Sequence, residues 1–370
     1  MALPVLLPYI ETEFDLGFSI LGLLITLLWV GGAIGQLPGG ILADKYNERL
    51  IMTFSLGLVA AALTFVVISP NAITLFIGVT VWGLATSLYP IARITILSKI
   101  YPDRLGSALG LTMATGDIGQ TFVPPIAGLL AALFIWQTGL SFIIPLIIIS
   151  GIGVWIIVPR RTHINSTTET LSMDTGYSVL AELRRPPMMF VSCILILFFF
   201  FWQAFTSFLP TYLVIEKSLS TRRASILFGM FFAAGAIIKP FAGMAYDKIG
   251  MRWALICVLL GPVGGLLLLP IVESLSVLII IILMISTMLG NGAITQSFVA
   301  EQFPSDIQGT GLGTVRTFSA IIGSTGPVIF GIIADRGFFD KGYIGLSIIL
   351  VIVILFTYKI PLQEGDKNVS

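Results

Sequence analysis

Apolar runs about 20 residues long recur from one end of this chain to the other, separated by short polar breaks. A helix of about that length crosses the hydrocarbon core of a bilayer, where an open backbone has no water to satisfy it. Length alone would suggest about two soluble domains. The hydropathy overrides that reading: 56% of the 370 residues are hydrophobic and 11% are charged, against about 25% charged in soluble domains. The expected fold class is therefore all-α, a polytopic membrane protein with the lipid bilayer as its surroundings.

The polar breaks divide the chain into spans. The first apolar stretch, Met1 to Ile10, is too short to cross. Span two runs from Phe18 to Ala43, span three from Leu50 to Ile68, and span four from Ile73 to Leu97. Span five follows from Leu105 to Phe134 and span six from Gly139 to Val158. After the longest polar stretch come span seven (Met188 to Ile215), span eight (Ala224 to Tyr246) and span nine (Trp253 to Val272). Span ten covers Leu275 to Ala300, span eleven Ile307 to Ala334, and span twelve Tyr343 to Tyr358. This divides the chain into an N-terminal helical bundle over residues 1–158, a linker loop over 159–185 and a C-terminal bundle over 186–370.

Basic residues are distributed unevenly between the two ends of the spans. Lys45, Arg49, Lys99, Arg104, Arg160, Arg161, Arg184, Arg185, Lys248, Arg252, Lys359 and Lys367 fall on one side. Only Lys217, Arg222, Arg223, Arg336 and Lys341 fall on the other. The positive-inside rule puts the first group, the linker and the C-terminus in the cytoplasm. It leaves Glu11, Glu13 and Asp15 in an outer loop without a cation.

The chain also repeats itself at an offset of 203 residues. Gly40, Asp44, Lys45 and Arg49 map onto Gly243, Asp247, Lys248 and Arg252, and Pro124 and Gly128 onto Pro327 and Gly331. Chance agreement is common among apolar residues but not in a pattern of Gly, Asp, Lys, Arg and Pro. Two duplicated halves place a solute site near the midplane between them. The repeat exposes a gap, because span seven has no full counterpart. Leu7-Pro8-Tyr9 matches only its outer end, Leu209-Pro210-Thr211-Tyr212. Most of span one is expected to be missing through N-terminal truncation, with a true eleven-span protein as the alternative.

The repeated segment resembles the signature of the major facilitator superfamily, Gly-x-x-x-Asp-Arg/Lys-x-Gly-Arg-Arg/Lys. The first copy keeps Gly40, Asp44, Lys45 and Arg49, with Asn47 at the glycine position and Glu48 at the first arginine. Asn is the least costly substitute where a positive φ is required, so a positive φ is expected there. The second copy keeps Gly243, Asp247, Lys248, Gly250 and Arg252. The resemblance implies a fold of two pseudo-symmetric six-helix bundles and solute transport by alternating access. It also implies a cytoplasmic gate at Gly40, Asp44, Lys45, Arg49, Gly243, Asp247, Lys248 and Arg252, with Asp44 pairing near the start of span eleven at Ser305 and Asp306. Fixing topology is the competing role for these charges. The family's span-four arginine is absent from Val79–Gly83, and its span-five antiporter motif is only echoed by Gly116, Gly119, Pro124, Pro125 and Gly128. Both departures count against a drug/proton antiporter.

Ionisable groups at membrane depth are functional candidates by default, because burying charge is costly. Asp117 lies roughly 18 Å into span five and Arg316 roughly 14 Å into span eleven, at 1.5 Å per residue. Lys239 and Arg93 lie roughly 9–12 Å from the cytoplasmic helix ends. Snorkelling or a structural ion pair is the competing reading for those two. Three cations against one carboxylate favour an anionic solute, since guanidinium binds carboxylate or phosphate oxygens in pairs. Asp117 is the candidate protonation site for proton coupling, with a static pair to Arg93 as its structural alternative. Gln120, Trp202, Gln203, Asn291 and Gln296 complete the expected lining, or else bond helix to helix. The Phe198–Phe201 run reads as lipid-facing or as packing.

Other classes lack support in the sequence. A net charge of +1 gives nucleic acid no electrostatic purchase. Cys193 and Cys257 lie inside apolar runs, and the single histidine, His163, sits in the polar loop. No metal cluster, cofactor motif, catalytic nucleophile–base pair or phosphate loop is present. The chain is therefore expected to be a monomeric, plasma-membrane secondary transporter of a small anionic solute, with protons as candidate coupling ion. A multidrug/proton antiporter is the alternative, and a membrane sensor on a transporter fold is the alternative of another class.

Overall fold

The structure, a computed structural model, describes residues 2–35, 47–101, 105–159, 185–302 and 308–360. All regular secondary structure in them is helical. Eight of the described helices are long and apolar enough to cross a membrane. Spans eight and nine share one of these, and span two is a shorter apolar helix, Phe18–Ile34. Span five, Leu105–Leu133, carries Asp117 among many small and polar residues. The outward helix faces are strongly apolar: Ile73, Ile157 and Ile271 are 74%, 79% and 77% exposed.

Several boundaries carry a local physical cause. Span three starts at Glu48 because the Asn47 side chain accepts a hydrogen bond from Arg49 N at 2.9 Å. Asn47 has φ −66°, so the expected positive φ is not found; the residue caps the helix instead. Its counterpart Gly250 does adopt φ 75°. A glycine tolerates that conformation at no steric cost, and the connection between spans eight and nine shrinks to this one kink inside a helix over Thr221–Leu268. Asn71 caps span four, accepting from Thr74 N at 3.0 Å, and Pro186 opens span seven at a position where its missing N–H costs nothing.

The N-terminal stretch forms a helix over Leu3–Phe14, past the expected Ile10. Leu3, Val5, Leu6, Leu7 and Ile10 are fully buried, against spans five and seven. Its outer end is anchored by Glu13, which accepts from Trp136 Nε1 and from Gln137 Nε2. Span ten is interrupted by a 3-10 turn over Thr287–Gly290. Span eleven consists of two helices, Gln308–Gly323 and Gly326–Asp335.

The two halves meet along span two against span eleven, and span five against span eight. Glycines allow both approaches. A Cβ added at Gly22 would lie 2.3 Å from Pro327 O, and one at Gly331 2.2 Å from Phe18 O. On the other seam, a Cβ at Gly128 would meet Ser225 Oγ at 2.4 Å, and one at Gly229 would meet Thr121 O at 2.5 Å. These contacts lie toward the end opposite the signature segments. Toward the signature end, a Cβ at Gly116, Gly119 or Gly243 would have nothing within 4 Å among the described residues. The described parts of spans five and eight therefore part in that direction.

Candidate functional site

Where the seam between spans five and eight opens, it leaves a cavity of about 320 Å³. Helical periodicity decides which side chains reach it. Span seven contributes Leu195, Phe198, Phe199 and Trp202, the i, i+3, i+4, i+7 stripe of one face. Span five contributes Asp117 and Gln120, one turn apart, and span eight contributes Phe232 and Lys239, two turns apart. The broken span ten supplies Asn291, Thr295 and Gln296, and span eleven supplies Arg316.

One ion pair crosses the cavity from half to half: Lys239 Nζ lies 2.6 Å from Asp117 Oδ1. The Asp117 side chain is 18% exposed and that of Lys239 39%, so cavity water screens the pair in part. Arg316 is exposed to the same space and has no ion-pair or hydrogen-bond partner among the described residues. Two cations thus face one carboxylate, and that carboxylate is taken. Asn291 is 1% exposed, and its Oδ1 is buried without a hydrogen-bond partner. A buried acceptor left open is costly, so this wall is suited to a donor brought by a solute.

The structure brings Asp117, Gln120, Trp202, Lys239, Asn291, Gln296 and Arg316 together, but not Arg93 or Gln203. Arg93 is on span four, which contributes nothing to this lining, and its Nε is buried without a partner. The partner of Asp117 is Lys239, not Arg93. Gln203 follows Trp202 by about 100° around the helix and is buried at 2% exposure behind the cavity wall. Phe198 and Phe199, read from sequence as lipid-facing or packing, line the cavity. Helical periodicity carries the signal for them, since positions 195, 198 and 199 precede Trp202 on the same face.

Of the signature residues, Gly40, Asp44 and Lys45 lie outside the described residues, as do Ser305 and Asp306. Arg49 stacks over the Trp155 ring at 4.2 Å. Arg252 donates to Tyr358 O at 3.2 Å and Ile360 O at 2.6 Å, a cation on the terminal carbonyls of span twelve. Asp247 and Lys248 are exposed, and Gly243 is half-buried.

At the opposite end, Asp335 closes the seam between spans two and eleven. It accepts from Phe18 N at 2.5 Å and Ser19 N at 2.9 Å. Gly17, the residue before span two, offers no side-chain cap, so one half of the chain caps a helix of the other. Thr26 adds a bond to Ser324 O at 2.7 Å, and Tyr9 one to Thr221 Oγ1 at 3.1 Å. Glu11 lies close enough to Asp335 that burial, and then the Asp335 charge, raise its pKa above the usual glutamate value.

Comparison with known proteins gives a consistent result. The family model of the Major Facilitator Superfamily matches residues 1–327 and, in a second match, 213–368. The hexuronate transporter of Bacillus subtilis (strain 168) is 23% identical over 268 residues, covering 68% of this chain and 61% of that protein. The cis,cis-muconate transport protein of Acinetobacter baylyi (strain ATCC 33305 / BD413 / ADP1) is 23% identical over 354 residues, covering 90% of this chain and 83% of that protein. Among solved structures, an inward-facing, unoccupied bacterial homologue of the human lysosomal transporter Spinster superposes with a TM-score of 0.79. The identity there is 13%, over 96% of this chain and 92% of that one, a likeness of fold.

Proposed function

The chain belongs to the Major Facilitator Superfamily, and from that membership we propose that it is a secondary active transporter moving a small organic anion by alternating access. The carrying observation is Arg316, without a partner among the described residues, in the same lining as the Lys239–Asp117 pair of a cavity where the two halves meet. A guanidinium without a counter-ion in a partly dry cavity attracts a carboxylate or phosphate and repels a cation. A cationic-drug site would need a free carboxylate, and Asp117 is engaged. The hexuronate and muconate relatives carry acids by name, which supports the same solute class.

In this reading Arg316 and Lys239 hold the anion, and Asn291, Gln296 and Gln120 orient it. Asp117 is the coupling residue. A proton on its carboxylate releases Lys239 to the solute, so proton and anion enter the cavity together. The signature end faces the cytoplasm of the plasma membrane, as the basic residues direct, and the described parts of spans five and eight part toward that side. Arg49 and Arg252, with Asp247 and Lys248, belong to the gate there. In this reading a single chain is the transporting unit.

Counterflow in proteoliposomes, with anionic and cationic solutes of matched size, tests the assignment. Anion exchange lost in Arg316→Ala, with the variant still folded, is the expected result. Exchange of cations alone would refute the anion reading, and binding without exchange would make the protein a sensor.

A further inference from the structure

The cavity has two unlike walls, and the second carries information that the charges do not. Phe198, Phe199 and Trp202 of span seven and Phe232 of span eight supply its aromatic lining. Two of these rings are fixed by packing. The Trp202 ring centroid lies 6.1 Å from both Phe231 and Phe232, tilted at 38° to one and edge-on at 75° to the other. Phe232 is itself edge-on to Phe228 at 5.1 Å and to Phe231 at 5.0 Å. Rings held this way cannot swing aside to admit hydroxyl partners, and they lose little freedom when a solute covers them.

We propose that the site selects flat, unsaturated carboxylates, such as a benzoate-like ring or a conjugated chain, over hydroxylated sugar acids and inorganic anions. The proposal rests on the anion reading above, which supplies the charged end of the solute. The aromatic wall supplies the rest. A flat π-body stacks against Trp202 and displaces water from ring faces that cannot hold it well. A sugar acid can offer one hydroxyl to Asn291 Oδ1, but the hydroxyls it turns toward those rings lose hydrogen bonds to water and gain none. A small inorganic anion satisfies Arg316 but leaves the aromatic wall wet in a cavity of about 320 Å³.

The test is titration calorimetry on the purified full chain with benzoate, benzamide, glucuronate and nitrate. Benzoate is expected to bind at least about tenfold more tightly than the other three, a difference within reach of stacking plus the hydroxyl penalty. Trp202→Ala should erase most of the benzoate advantage over glucuronate, while Trp202→Phe keeps it. Phe199→Leu removes a ring at similar volume and should also narrow the gap, should Trp202→Ala fail to fold. Glucuronate or nitrate matching benzoate, or a preference that survives loss of these rings, overturns the aromatic selection and leaves the anion reading intact. Benzamide binding as well as benzoate overturns the anion reading itself. Binding of none of the four overturns both.

Discussion

Asp117 and Lys239 show how one contact reassigns residues that the sequence could only place by depth. Each alone in a membrane would be a costly charge; at 2.6 Å they neutralise one another across the two halves. Removing one partner leaves the other uncompensated, so Asp117→Asn and Lys239→Met should each lower the melting temperature more than the double variant does. A double-mutant cycle should give a favourable coupling of about 1 kcal/mol, modest because the pair is partly exposed to cavity water. A coupling of zero would show that the pair does not hold the halves. In proteoliposomes, Asp117→Asn should abolish the dependence of uptake on an imposed proton gradient, and an unchanged dependence would return Asp117 to a structural role. Glu11 gives a separate pH signature at the opposite end. Its pKa is raised by burial first and by Asp335 second, so the folded state binds more protons than the unfolded one just above the ordinary glutamate value of about 4.3. Stability should therefore fall as pH rises through that window. Glu11→Gln should flatten this part of a melting-temperature profile; an unaltered slope would assign it elsewhere.

Among elements, glycine positions mark where both seams are closed and where the described parts of spans five and eight part. A side chain at Gly331 would strike the Phe18 carbonyl, and one at Gly22 the Pro327 carbonyl. Gly331→Val should therefore cost about 1–3 kcal/mol, as overpacking does, while Gly116→Ala, with open space around it, should be near neutral. Equal thermal shifts for the two would mean that the seam between spans two and eleven is not tight. Asp335→Ala should cost about 1 kcal/mol, the usual value of a helix cap. It also removes a contact that must break whenever the halves separate at that end. The sequence is rich in glycine and other small residues in spans two, five, eight and eleven. It did not show which glycines meet a backbone and which face a gap. Composition is the same in both cases; the difference lies in helix rotation and crossing, set by contacts far apart in the chain.

At the scale of the whole molecule, both seams are closed toward the end opposite the signature segments, and the described parts of spans five and eight part toward the other, with the cavity where they diverge. In a background lacking Cys193 and Cys257, a cysteine at Gly116 or Gly243 should react with a membrane-impermeant thiol reagent applied from the signature-loop side. It should react far less from the opposite side, and a saturating benzoate concentration should change the rate. Equal labelling from both sides would contradict a one-sided opening. The helical class, the span positions and the internal repeat were legible in the sequence alone, because hydrophobic length and glycine–aspartate–proline spacing are local properties that the bilayer and the backbone impose directly. The ionisable residues at depth could be named for the same reason. Tertiary structure alone decided that Asp117 pairs with Lys239, that Arg316 has no partner among the described residues, that Arg93 and Gln203 turn away, and that Phe198 and Phe199 line the cavity. Each of these depends on the rotation of one helix relative to another, and that rotation is fixed by packing between residues up to some 300 positions apart, such as Asp335 with Phe18 and Ser19.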